Sequence, residues 1–309
     1  MTTAITIGMI IIYVAIMMGI GVYTARQTRS VSDFVLGSHS VGSWLTAFAY
    51  GTSYFSAVVF IGYAGQFGWT YGVSAAWVGI GNALLGSLLA WIVLGRRTRI
   101  MTQSLGAKTM PEYFEKRWNS KGLKIAAALI VFVFLIPYTA SVYNGLSRLF
   151  NMAFQIESEG AYKIIIIVMA LLTAIYVILG GYAATAINDF IQGIVMLIGI
   201  AAVVICAIQN QGGLTSALAA LGEIEVNGKT NTLNSVFGPD PLNLLGVVIL
   251  TSLGTWGLPQ MIHKFYAIKS ENDIKKGAVI STVFALIVAG GSYLLGGFDR
   301  LFCTLTEDG

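Results

Sequence analysis

The stretch Ala49-Tyr50-Gly51-Thr52-Ser53-Tyr54-Phe55-Ser56-Ala57 decides how this chain is read. It lies inside an apolar segment long enough to cross a bilayer, yet it is small, polar and poor at holding a helix together. Lipid cannot satisfy backbone groups released in mid-bilayer, so a helix that gives them up there must line a cavity or a ligand. Interrupted membrane helices of this type hold ions and solutes in many secondary transporters. For one segment taken alone, close helix packing through small residues explains the composition equally well.

The rest of the chain is that of a membrane protein. Of its 309 residues, 56% are hydrophobic and only 10% are charged, with a mean hydropathy of +0.77. A soluble domain carries about 25% charged residues. A transmembrane barrel is excluded, because its strands alternate and its apolar runs are short. The net charge of +4 is no sign of nucleic-acid binding, since the basic residues sit in short loops between apolar runs. Cys206 and Cys303 have neither metal-ligand spacing nor a disulfide framework and read as inert thiols. No Walker-type phosphate loop is visible, so an ATP-driven pump is unsupported. His39 and His263 lack the neighbours of a metalloenzyme motif, and no filter-like repeat suggests a channel.

About eight apolar runs are long enough to span a bilayer of ~30 Å. They lie near 4–24, 43–66, 72–95, 125–150, 162–180, 189–209, 241–263 and 277–298. No Lys or Arg precedes the first run, and Arg26 and Arg29 follow it, which argues against a cleaved signal peptide. The expected inside loops hold those two, then Arg96, Arg97, Arg99, Lys108, Lys116, Arg117, Lys121 and Lys124, then Lys264, Lys269, Lys275 and Lys276. The expected outside stretches hold only Arg148, Lys163, Lys229 and Arg300. That bias places the N-terminus outside. Thr109-Met-Pro-Glu112 reads as the start of a surface helix, with Thr109 as cap and Glu112 reaching back, and with Tyr113, Phe114 and Trp118 toward the lipid boundary. The polar stretch from about 210 to 240 either covers the outer face or moves freely, and Gly238-Pro-Asp-Pro241 stops it before the next span.

A second span breaks the rules for a membrane helix. The seventh holds Thr251, Ser252, Gly254, Thr255, Gly257 and Pro259. Pro259 cannot donate to the backbone ladder, and the glycines weaken the same turn. Spans two and seven stand five helices apart and run in opposite senses by the loop charges. That is the arrangement of a five-helix unit repeated with inverted topology. Freed carbonyls, with the hydroxyls of Thr52, Ser53 and Ser56, suit a small hard cation, and half-helix N-termini favour an anionic group. Neither break holds Asp or Glu, so such a cation is held mainly by neutral oxygens.

The same residues resemble the sodium:solute symporter family, which contains the sodium/proline, sodium/pantothenate and sodium/glucose transporters. Phe34-Val-Leu-Gly-Ser-His-Ser-Val-Gly42 looks like its loop after the first helix, and Thr52-Ser-Tyr-Phe-Ser-Ala-Val-Val-Phe-Ile-Gly62 like its second helix. Thr109-Met-Pro-Glu-Tyr-Phe114 is similar to its inside amphipathic segment. Ile187-Asn-Asp-Phe-Ile-Gln-Gly-Ile-Val-Met-Leu-Ile-Gly199 and Gly257-Leu-Pro259 are closest to the pantothenate branch. The resemblance implies an all-α membrane protein of leucine-transporter-like, five-plus-five inverted-repeat fold in a bacterial inner membrane. It implies sodium bound in part by the backbone carbonyls of Thr52 and Phe55. It implies solute contacts from Ser53, Tyr54 and Ser56 in the broken second helix, from Tyr138 in span four, and from Thr251 and Thr255 in span seven. Asp189 matches an acidic residue at the inside end of the sixth helix, with a role in inward ion release or as a solvated interfacial carboxylate.

The expected activity is sodium-coupled symport of a small organic solute, a carboxylate such as pantothenate or an amino acid. The alternative is a solute-sensing module of a signalling protein. The chain departs from the proline branch at His39, where that branch has an arginine, and at Tyr54, where it has an aspartate. The second departure makes proline a less expected solute. The family also carries further spans after the eighth, one of which supplies hydroxyls to the sodium shell. The chain therefore reads as an N-terminal fragment, ending in Thr304-Leu-Thr-Glu-Asp-Gly309, with the first repeat complete and the second incomplete, unable alone to complete a transport cycle.

Overall fold

A computed structural model describes residues 2–26, 28, 30–37, 41–56, 58–154, 159–226 and 228–303. Arg29, His39 and the stretch 304–309 lie outside the described residues. The helices, in order, are α1 Thr2–Ala25, α2 Val31–Leu36, α3 Ser43–Tyr54, α4 Ala64–Tyr71, α5 Ala76–Gly81, α6 Arg96–Leu105, α7 Met110–Trp118, α8 Lys121–Phe154, α9 Glu159–Asn210, α10 Leu214–Glu223, α11 Pro241–Leu253, α12 Pro259–Ala267 and α13 Glu271–Gly297. Wider π-type turns cover Val58–Tyr63, Asn82–Leu89 and Trp91–Gly95. Such turns are rare and recur at functional sites. No strand is present among the described residues.

Among the described residues, five segments are long and apolar enough to cross a membrane, and the broken pair α11–α12 makes a sixth. The longest, Tyr162–Asn210, is far longer than one crossing needs at 1.5 Å per residue. Gly181 divides it, with φ 59° and ψ −152° inside α9. A side chain there would bring its Cβ within 2.8 Å of the Phe34 carbonyl oxygen, so both conformation and space require glycine. Segment 43–66 is absent from this count because its helix breaks at Ser56.

The chain divides into two compact units. The first is built from Met1–Tyr50, Leu94–Gln192 and Pro259–Lys276. Val41 and Ile268 form a parallel bridge, and the Lys269 N–H donates to the Val41 carbonyl at 3.0 Å. Arg99 donates to the carbonyls of Ile268 and Lys269 at 3.0 and 2.6 Å, and Arg96 pairs with Glu271 at 2.7 Å. These bonds satisfy the connection between α12 and α13, where no helix can. The start of α7 is as the sequence reading expects. The Thr109 hydroxyl caps the Glu112 N–H at 3.4 Å, and the Glu112 carboxylate accepts from the Lys108 N–H at 2.8 Å. Tyr113, Phe114 and Trp118 pack against one another, Tyr113 edge-on to the other two rings and those two tilted.

The second unit is Gly51–Val93, Gly193–Leu258 and Gly277–Gly309. Its connection between α10 and α11 is packed down. Leu233 is fully buried with Ala217, Leu221 and Phe298, and its carbonyl accepts from the Val73 N–H at 2.9 Å. The Trp77 indole donates to the Val236 carbonyl at 2.9 Å. Leu233 and Val236 thus tie this stretch to the rest of the second unit. Asp240 then caps α11 by accepting from the Asn243 N–H at 3.1 Å, with Pro241 in the first turn.

Candidate functional site

Both interruptions exist, and their residues meet inside the second unit. The first lies further along than the glycine and hydroxyl residues suggest. α3 continues through Gly51, Thr52, Ser53 and Tyr54, and the Phe55 N–H still bonds the Gly51 carbonyl at 2.9 Å. The helix ends at Phe55 and Ser56, where the Val59 N–H takes the Ser56 carbonyl at 3.0 Å. Thr52 and Ser53 are therefore helical and half-buried, and Ser56 stands in the break itself. Small polar residues weaken a helix, but α3 holds past them, down to the Phe55 bond to Gly51.

The second interruption matches its sequence. α11 ends at Leu253, a tight turn covers Gly254–Gly257, Leu258 is extended at φ −68° and ψ 126°, and Pro259 opens α12. A helix end leaves its last carbonyls without backbone donors. Here side-chain hydroxyls supply them. The Tyr54 hydroxyl lies 3.0 Å from the Thr251 carbonyl, and the Thr255 hydroxyl donates to the Ser252 carbonyl at 2.9 Å.

Asn82 joins the two interruptions. It is 1% exposed and begins the π-type turn after α5. Its Oδ1 lies 3.2 Å from the Tyr54 hydroxyl, 3.0 Å from that of Thr251 and 3.1 Å from that of Ser252. An amide oxygen has two lone pairs. Three hydroxyls share them because two have another acceptor. Tyr54 has the Thr251 carbonyl, and Thr251 has the Val247 carbonyl at 2.9 Å. Tyr54 is 8% exposed, with its ring stacked on Phe55 at 4.5 Å. Gly86 makes room for it, since a Cβ there would sit 2.0 Å from the phenol oxygen. Trp256 closes the network by donating to the Leu85 carbonyl at 3.0 Å. A cavity of about 390 Å³ beside these residues is lined by side chains such as Trp77, Leu84, Phe237, Leu245 and Val248. That apolar lining does not suit a charged solute.

The network brings Tyr54, Thr251 and Thr255 together. Tyr138 and Asp189 belong to the first unit. Tyr138 is half-buried on α8, where its carbonyl accepts from the Ser141 hydroxyl at 2.7 Å. Asp189 on α9 lies 3.5 Å from the Lys264 ammonium, which also stands 5.3 Å over the Tyr182 ring. Lys264 is 6% exposed. The charge count places it in an inside loop, but it lies within α12 and is buried. His263 packs between Tyr182 and Tyr266, with ring centroids at 5.4 and 5.8 Å. No cluster of three metal-ligating side chains occurs among the described residues. Asn82 goes unmentioned in the sequence reading, and Ser252 and Lys264 are given no site role there. A lone amide at 82 inside an apolar run is the signal that points to the first, because intramembrane polar groups are functional by default.

A family model described as the sodium:solute symporter family matches residues 34–306. The chain belongs to the sodium:solute symporter family. Sodium/proline symporters of Staphylococcus aureus strains JH9 and USA300 are each 33% identical over 294 residues, covering 93% of this chain and 55% of the relative. The chain thus spans about half the length of the curated relatives it matches. Among solved structures, a Na+-coupled sialic acid symporter in a substrate-bound outward-open state aligns with a TM-score of 0.69 at 17% identity. That alignment covers 96% of this chain and 59% of the other. The chain is therefore an all-α, multi-pass membrane protein of leucine-transporter-like fold, as members of the symporter family are expected to be.

Proposed function

We propose that this chain forms the ion- and solute-handling part of a sodium-coupled symporter that carries a small organic solute into the cell. The observation that carries the reading is the junction of the two interruptions through Tyr54, Asn82 and Thr251. Neutral oxygens converge there from segments whose backbone ladders are open, which is the chemistry a dehydrated small cation requires. Sodium is cargo in this reading. On the family resemblance the backbone carbonyls of Thr52 and Phe55 hold it in the second span, and Ser53 and Ser56 contribute to solute contact. Tyr54, Thr251 and Thr255 orient the solute. Coupling follows because sodium and solute favour the same state, so each raises the affinity of the other.

Tyr138 and Asp189 are assigned solute contact and inward ion release on the family resemblance. The solute is a small carboxylate or an amino acid. The sodium/proline symporters among the relatives favour an amino acid, and Tyr54 in place of that branch's aspartate favours a different one from proline. The basic residues concentrated in the expected inside loops support an N-terminus outside a bacterial inner membrane.

The test is uptake of labelled amino acids and small carboxylates by cells making the full-length gene product, with and without sodium. Uptake of at least one solute is expected to require sodium, and Tyr54→Phe and Thr52→Val are expected to alter its rate or its sodium requirement. Uptake that is indifferent to sodium, or to both substitutions, overturns the assignment.

A further inference from the structure

The turn that joins α7 to α8 is an exposed corner with unspent positive charge. Four basic residues, Lys116, Arg117, Lys121 and Lys124, cluster with two acidic ones, Glu112 and Glu115. Both acids are committed: Lys116 pairs with Glu112 at 2.8 Å and Lys124 with Glu115 at 2.6 Å. Arg117 and Lys121 are exposed, and neither has a carboxylate at ion-pair distance among the described residues. Between them stands Trp118, 54% exposed, with the Arg117 guanidinium 5.5 Å from its ring centre. Asn119 in the left-handed conformation at φ 48° closes α7, so the two free cations bracket one tight turn.

A segment long and apolar enough to cross a membrane, Lys121–Asn151, begins at this corner. α8 turns apolar immediately after Lys124, with Ile125, Leu129 and Ile130 each more than half exposed, as lipid-facing residues are. Indole rings settle at the headgroup level, next to where lipid phosphates lie. We propose that Arg117, Trp118 and Lys121 form a binding site for the headgroup phosphate of an anionic phospholipid. The guanidinium is a planar, two-pronged donor to phosphate oxygens, and Lys121 adds a point charge. Trp118 sets the depth. The paired lysines nearby are satisfied, so selectivity for an anionic lipid rests on the two unpaired cations. A basic residue at an anionic membrane surface contributes about 1 kcal/mol, roughly a fivefold preference each.

The test reconstitutes the full-length gene product into vesicles and measures tryptophan quenching by brominated phosphatidylglycerol or brominated phosphatidylcholine. Comparison with Trp118→Phe isolates the signal of Trp118 from that of the other tryptophans. The Trp118-dependent emission is expected to be quenched at several-fold lower mole fraction of the anionic lipid. The double substitution Arg117→Gln, Lys121→Gln is expected to remove that preference, and Arg117→Lys, Lys121→Arg to keep most of it. Both positions are exposed, so the fold survives either change, and unchanged circular dichroism checks this. Equal quenching by the two lipids, or an anionic preference that outlasts the double glutamine variant, overturns the proposal.

Discussion

The Tyr54 hydroxyl stands 3.0 Å from the Thr251 carbonyl oxygen, 197 positions away in the chain. A phenol from one interrupted span caps the open end of another. The bond is local chemistry with long-range reach, because it replaces a backbone donor that α11 gave up when it ended at Leu253.

Removing the phenol oxygen tests that relationship. Tyr54→Phe keeps the ring on Phe55 and deletes the donor. It is expected to destabilise the chain by about 0.5–2 kcal/mol, read as a lower unfolding midpoint in detergent. Gly86→Ala is expected to act through the same atom, since its methyl would meet the phenol oxygen at 2.0 Å. In the Tyr54→Phe background the alanine should therefore cost clearly less than in the parent, which a double-mutant cycle reports.

Asn82 is predicted to be the most sensitive polar position of the second unit. Asn82→Leu removes the acceptor that three hydroxyls share and leaves the buried Ser252 hydroxyl unsatisfied, at a cost of roughly 1–3 kcal/mol. Ser252→Ala should cost less alone and almost nothing in the Asn82→Leu background. Additive losses in thermal unfolding would show that the two groups do not interact.

Lys264 and Asp189 should fail singly and tolerate joint replacement. Their side chains are 8% and 22% exposed. Lys264→Met leaves a carboxylate without its ammonium, and Asp189→Asn leaves a buried ammonium beside Tyr182. Breaking one half of a buried pair costs about 3–5 kcal/mol, whereas replacing both halves is often near neutral. The measurement is the yield of folded chain after detergent extraction for the two single variants and the double.

The α7 start should loosen in acid. Partial burial raises the Glu112 carboxyl, but hydrogen bonds from Lys116 and the Lys108 N–H, and the charges of Lys116 and Lys124, outweigh it and hold the group below its ordinary value. A depressed carboxylate stabilises the fold fully above its unfolded pKa, and that contribution is lost as pH falls through the lower folded value. Hydrogen exchange at Lys108–Tyr113 is expected to be slower in the parent than in Glu112→Gln at neutral pH. The two should converge in strong acid.

The second interruption was legible at its position, and the first only to within a turn, because composition flags a weak stretch without fixing where the helix ends. Gly254, Gly257 and Pro259 fall on the second one as observed. Ser56 marks the first, but Gly51 and Thr52 do not, since both stay inside α3. The Thr109 cap was legible because it needs only neighbours in sequence. Asn82 was not, because its meaning lies in three hydroxyls from distant segments. Lys264 was misread for a related reason: a count of loop charges records position along the chain and carries no knowledge of Asp189 and Tyr182, which enclose it.

The anchoring of Leu233 divides the 211–240 connection into parts that an engineer should treat differently. Gly228, Lys229 and Thr230 are exposed at the tip of a small turn closed by Val226 and Lys229. An epitope tag or fluorophore spliced in there adds length only to solvent-facing backbone. The same cargo placed five residues later would pry a sealed side chain from its seat against Phe298 and cut the strap that ties Val73 down.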